Sequence, residues 1–152
     1  MLASGTVLHV RSDKDTHFVG SLATNAGESA NIVLPAGVGG DGRGRCRMRA
    51  MTIVSDQNLA WEILLFAKDT FLTLAADLDL VPFVARWSFT AADAIQVAGT
   101  GPYLYYIDGN DQHYEDMDDT GELHAVLVNR SVTAKNAGAT GEVVVDFSLE
   151  PA

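Results

Sequence analysis

The feature that most constrains this chain is a series of short segments in which apolar and polar residues alternate, each closed by Gly, Asp, Asn or Pro. The last is the clearest. In 141–150, Val143, Val145, Phe147 and Leu149 recur at every second position, with Glu142, Val144, Asp146, Ser148 and Glu150 between them. Successive side chains of a strand point to opposite faces, so this pattern suits an extended strand with one dry and one wetter face. Runs rich in β-branched and aromatic residues also occupy 5–11, 17–23, 30–34, 45–54, 59–67, 82–90, 94–98, 102–107 and 122–131. Such residues fit a pleated, half-buried surface, and regularly spaced turn signals between them point to a sandwich or barrel. The expectation is one domain over 1–152: an all-β fold, a jelly-roll-like β-sandwich, with short turns and at most one short helical turn. That turn is placed in 69–80, where Phe71, Leu72, Leu74, Ala75 and Ala76 cluster.

Two segments lack a polar face. Leu123, Ala125, Leu127 and Asn129 alternate with His124, Val126, Val128 and Arg130; Trp61, Ile63, Leu65 and Ala67 alternate with Glu62, Leu64 and Phe66. Both are expected to be buried on two sides, inside the sandwich or against a neighbouring subunit. Ser55-Asp56-Gln57-Asn58 reads as a short hairpin turn, and 135–141 as a longer hairpin loop between the last two strands. Asp108-Gly109-Asn110-Asp111 stops the aromatic strand, and the glycine-rich 36–44 reads as a surface loop.

Charge narrows the partners. Ten Lys and Arg face twenty Asp and Glu, a formal net charge of −10, which repels polyphosphate; no nucleic-acid partner is expected. No apolar run approaches the ~20 residues that span a bilayer, so no membrane partner is expected. The opening residues lack the basic region of a secretory signal, which suggests a soluble protein made without cleaved export. A lone Cys46 allows neither an internal disulfide nor a cysteine-based zinc cluster and reads as a small buried hydrophobe.

Arg43, Arg45, Arg47 and Arg49 recur at the period of a pleat, with Cys46, Met48 and Ala50 on the opposite face. A row of guanidinium groups can grip carboxylates in pairs. The row is a solvated face matched to the chain's own acids, a docking surface for an acidic neighbour or an identical subunit, or, against the overall charge, a nucleic-acid contact. Tyr103, Tyr105 and Tyr106 offer broad rings with polar tips, suited to a protein interface or a sugar, with core packing the plainer alternative. These seven residues are the candidate interface, and the N-terminal segment is expected to add to it. The acidic stretch 108–119 supplies oxygens at alternating positions but departs from the calcium-loop pattern, with His113 at the sixth position and Asp119 at the twelfth. His9, His17, His113 and His124 show no metal-binding spacing. There is no nucleophile elbow, phosphate loop or dinucleotide fingerprint, so no catalytic residue, metal or cofactor is assigned and a non-enzymatic role is expected.

A resemblance covers about the C-terminal half. Phe83-Val-Ala-Arg-Trp-Ser-Phe89 and Gly101-Pro-Tyr-Leu-Tyr-Tyr-Ile-Asp-Gly109 lead into Leu123-His-Ala-Val-Leu-Val-Asn-Arg-Ser131. The loop Lys135-Asn-Ala-Gly-Ala-Thr-Gly141 follows. This order resembles small virion structural proteins of tailed bacteriophages. It implies a capsid decoration, or cement, protein on the capsid surface, synthesised in the host cytoplasm. Its partners would be the major capsid protein, bound between subunits, and further copies of itself in a homo-oligomer, with a trimer favoured. The alternatives are a tail, adaptor or fibre component, a carbohydrate-binding virion module and a β-sandwich hydrolase using acids of 108–119.

Overall fold

The computed structural model describes residues 7–33, 45–66, 83–96, 98–108, 113–115 and 122–151. Nine strands run along them: β1 (Leu8–Arg11), β2 (Gly27–Val33), β3 (Arg45–Ser55), β4 (Trp61–Phe66), β5 (Phe83–Phe89), β6 (Tyr103–Asp108), β7 (His113–Glu115), β8 (Glu122–Asn129) and β9 (Val143–Pro151). Their antiparallel pairings are nested. β1 pairs with β9, β2 with β8, β3 with both β6 and β7, and β4 with β5. The chain is therefore one long hairpin closed at β4–β5. Rolling it up adds the contacts β3–β9 and β4–β8 and yields two sheets. Sheet 1 has the order β1-β9-β3-β6, with β7 beside β3, and sheet 2 the order β2-β8-β4-β5. This is the jelly roll.

The rolled hairpin corrects two turn expectations. β3 and β4 lie in different sheets, as do β8 and β9, so 55–60 and 130–142 are crossings between layers and not hairpin turns. Two strand expectations also fall. Segment 17–23 is a loop: Phe18 takes a left-handed φ of 55°, and only Leu22 bridges to Lys135. Its apolar residues exist to plug the core, since Phe18 and Leu22 are both buried. Segment 94–98 keeps a single bridge, Ile95 to Leu104, before the chain reverses through Gly99 and Gly101, both at positive φ. Helical structure is confined to two 3-10 turns, Ala91–Asp93 and Gly138–Thr140, among the described residues. The expected helical turn in 69–80 lies outside the described residues, as does the glycine-rich loop 36–44.

The inner faces meet in one core. Val143, Val145, Phe147 and Leu149 of β9 are all buried, as their alternation requires. They face Trp61, Ile63, Leu65, Trp87 and Leu127 of sheet 2. Two edge-to-face ring pairs lock the layers together: Trp87 with Phe147 at 6.4 Å and Phe89 with Tyr105 at 5.9 Å. Leu64, Phe66, Val126 and Val128 form a second buried cluster on the far side of sheet 2, so β4 and β8 are buried on both faces as expected. Glu62 shares that side. Its carboxylate takes Arg130 Nη2 at 2.6 Å, the Ser88 hydroxyl at 3.1 Å and Arg86 Nε at 3.7 Å.

Burial of polar groups is answered by bonding at the end of the sandwich where 12–26, 55–60 and 130–142 meet. Asn129, fully buried, donates to the carbonyls of Leu22 and Thr133 and accepts from the Ser131 N–H. Lys135, 1% exposed, donates to the carbonyls of Phe18 and Gly20. Gly141 has no substitute, because a Cβ there would lie 1.9 Å from the Asn136 carbonyl oxygen.

Tyr105 sits in the same core with its hydroxyl satisfied. It accepts from the Leu59 N–H (3.0 Å) and reaches the Leu59 carbonyl (2.7 Å) and Asn58 Oδ1 (3.0 Å). Burial raises its pKa above the usual 10.0. Below pH 10.0 the phenol is neutral in both states and its stabilisation is complete; above it the unfolded chain ionises first, so stability falls as pH rises through the folded pKa. Tyr105→Phe is expected to cost about 1–2 kcal/mol at neutral pH through the lost hydrogen bonds. That deficit should be constant below pH 10.0 and shrink as pH rises above it. Urea midpoints of both proteins on either side of that value check it, and a deficit independent of pH would contradict the assignment.

Candidate binding surface

The two sheets differ on their outsides. Glu62, Leu64 and Phe66 of β4 and His124, Val126 and Val128 of β8 point outward and are buried, whereas the outward face of sheet 1 carries exposed His9, Arg11, Arg49, Tyr106 and Asp108. A β-bulge builds part of this face. The β3–β9 register runs Met48 to Leu149 and then Ala50 to Ser148, leaving Arg49 as the extra residue. Before the bulge Met48 points inward; after it Met51, Ile53 and Ser55 do. Ala50, expected on the inner face with Met48, is thereby turned to the outer side and is only half-buried.

Chemistry on the face follows from cross-strand neighbours. Arg47 Nη2 lies 2.9 Å and Arg49 Nε 3.3 Å from the same oxygen of Glu150, a largely buried carboxylate. The Tyr106 hydroxyl donates to Asp108 Oδ1 at 2.8 Å, and that bond raises the phenol pKa. His9 Nδ1 lies 3.1 Å from Asp146 Oδ1 and 3.2 Å from Ser148 Oγ. A Ser-His-Asp relay needs its acid and its nucleophile on opposite ring nitrogens. A single nitrogen serves both at His9, so the trio is a hydrogen-bonded surface cluster without a relay.

The face also holds an apolar stripe. Val144, Val54 and Leu104 stand side by side on β9, β3 and β6, and Ile95 extends the row through its bridge to Leu104. Ile95 and Tyr106 are each 57% exposed. Protein contacts often pair an apolar centre with a charged rim, and this face has both elements.

The sequence-expected residues divide. Arg47, Arg49 and Tyr106 share this outward face. Arg45 lies on β3 opposite Glu115, and Arg43 lies outside the described residues. Tyr103 and Tyr105 are on the inner side; Tyr105 is wholly buried, so its surface serves the core and offers nothing to a partner. Part of the acidic stretch is a strand: His113–Glu115 is β7, while 109–112 and 116–121, with most of the calcium alternative, lie outside the described residues. Among the described residues no group of three or more His, Cys, Asp or Glu could hold a metal ion. His9 and Arg11 belong to the N-terminal segment expected to make contacts, whereas Val54 and Val144 are not expected from sequence to do so. Their only signal is being out of phase with the core residues of their strands, and which strands stand beside them is set by the roll.

No protein-family model matches this chain, and no curated protein does. Among solved structures it is similar to a chain of tomato aspermy virus, at 13% identity and a TM-score of 0.42, over 97% of this chain and 78% of that one. A chain of cocksfoot mottle virus gives 10% identity and a TM-score of 0.34, over 97% of this chain and 93% of that one. The jelly-roll assignment rests on this chain's own strand order.

Proposed function

We propose that this chain is a structural component of a virion, one that binds the outside of a capsid between major capsid protein subunits and resists their separation. The observation that carries the reading is the open outer face of sheet 1, with its apolar stripe beside shared ion pairs. It belongs to a rigid sandwich whose interior is filled by rings and branched aliphatic side chains. Jelly rolls recur in viral capsid domains, lectins and cupins, so fold alone does not choose among them. Two things favour the virion: a surface built for adhesion, and the resemblance of the C-terminal half to phage virion proteins.

Mixing the purified chain with undecorated capsids is the direct test. Binding in many copies per particle, with a rise in the temperature at which capsids disrupt, is the expected result. A chain that neither binds nor shifts that temperature is not a decoration protein. The exposed ring of Tyr106 favours a second reading, a carbohydrate-binding virion module, in which a glycan stacks on the ring. A glycan array separates the two, since binding lost in Tyr106→Ala would support the sugar.

A further inference from the structure

The outward rows of sheet 1 are complementary to themselves. Read from β6 through β3 and β9 to β1, one row is Tyr106, Thr52, Asp146, Arg11 and the next is Asp108, Ala50, Ser148, His9. Beyond them Arg47 stands beside Glu150, and at the other end Val54 stands beside Val144. Reverse each row and lay it on the original. Tyr106 then meets Arg11, Asp108 meets His9, Val54 meets Val144, and the Arg47–Glu150 ion pairs of the two copies lie over each other. Reversal of this kind is what a two-fold axis does when it runs parallel to the strands between β3 and β9, with the face pressed against its own copy.

We propose that a second copy of this chain occupies the outer face of sheet 1, related by that two-fold axis. The proposal rests on the reading of this face as a protein-binding surface and names a second copy as its occupant, so that the capsid is met by the loop ends the pair presents and not by this face. Charge favours it. The chain as a whole carries −10 and repels itself, yet on this face Arg11, Arg47 and Arg49 balance Asp108, Asp146 and Glu150. The approach of two copies through this face is therefore opposed less than the net charge alone would dictate. Each exposed tyrosine ring gains a guanidinium over it, a cation–π contact. Size agrees. Four strands ~4.8 Å apart and seven residues at ~3.4 Å give roughly 450 Å² of plan area per copy, and side-chain relief adds to it. The pair falls at the small end of specific interfaces, about 1,000 Å² in total, so association is concentration-dependent.

An axis along the strands leaves both loop ends on the same side of the pair. The assembly then presents two copies of the end formed by 12–26, 55–60 and 130–142. Two such ends can engage neighbouring subunits at once, and binding gains from the shared tether.

Sedimentation equilibrium of the full chain, with no capsid present, tests the pairing. The expected mass approaches twice the 16.2 kDa of one chain as concentration rises. Tyr106→Lys sets an ammonium against the partner's guanidinium and should weaken pairing at least about ten-fold. Adding Arg11→Glu should restore it. Within one chain the two positions are three strand spacings apart, about 14 Å, too far for the charges to rescue each other locally. Both residues are exposed, so folding should survive, and a melting curve verifies this. A monomer at every concentration, a three-chain mass, or a double variant no tighter than Tyr106→Lys alone would each overturn the two-fold pairing. A dimer indifferent to capsids would instead sink the virion reading and leave the pairing standing.

Discussion

Phe147→Ala is expected to remove about 3–5 kcal/mol of folding free energy, a large share of the ~5–15 kcal/mol that a domain of this kind possesses. Phe147 is fully buried in β9, the strand held between β1 and β3, and its ring meets Trp87 of the opposite sheet edge to face. Truncation deletes both the apolar burial and the contact between layers, and the flanking Val145 and Leu149 point into the same core without reaching to fill the space. Phe147→Leu, which keeps most of the volume, should cost about 1.5 kcal/mol or less. Urea denaturation of the three proteins gives both numbers. A loss below about 1 kcal/mol for alanine would mean that this ring does not couple the two sheets.

The second large effect is expected at Lys135. Replacing it with methionine keeps the length of the apolar stem but strands the carbonyls of Phe18 and Gly20 in a dry site. Two orphaned acceptors should cost about 2–4 kcal/mol. The loss should appear first as opening of 18–22, which is flanked by the His17–Asp13 turn and the Leu22–Lys135 bridge, with the Asn129 side chain on the Leu22 carbonyl and the Gly138 N–H on the Val19 carbonyl as further ties. Hydrogen exchange resolves this from global unfolding.

The dependence on pH has a definite sign. Burial lowers the Lys135 pKa below its usual 10.5, with Glu28 acting weakly in the other direction. Between the folded value and 10.5 the unfolded chain holds a proton that the folded chain has released, so the lysine's contribution grows as pH rises through that window and is lost as pH falls below it. The deficit of Lys135→Met relative to the parent should therefore widen as pH approaches 10.5. A deficit that stays flat or narrows would show that the ammonium is not desolvated in the fold.

How far the sequence reached can be judged strand by strand. The alternation of 141–150 and the two-sided burial of β4 and β8 were legible because the period of a strand is written in its residues. Phe18 and Leu22 carry the same apolar signal yet lie in a loop, because an apolar residue reports burial without reporting backbone conformation. The arginine row was read correctly as an outward set at Arg47 and Arg49, but its phase was carried through to Ala50. A bulge has no alternation signature of its own; it is created by the need to keep β3 in register with β9. Tyr105 and Tyr106 are neighbours of the same type with opposite fates. Only their places opposite Ile53 and Thr52 decide which is core and which is surface.

By itself, then, the sequence determined a two-layered β scaffold: period-two patterning encodes which side of each strand is dry, and that is a local property. Tertiary structure alone decided the nested pairing that rolls one long hairpin into a jelly roll. It also decided that 55–60 and 130–142 cross between sheets, and that Val54, Val144, Tyr106 and Arg11 share one open face. These choices depend on which distant segments pair, and that free energy is shared among residues up to the full length of the chain apart.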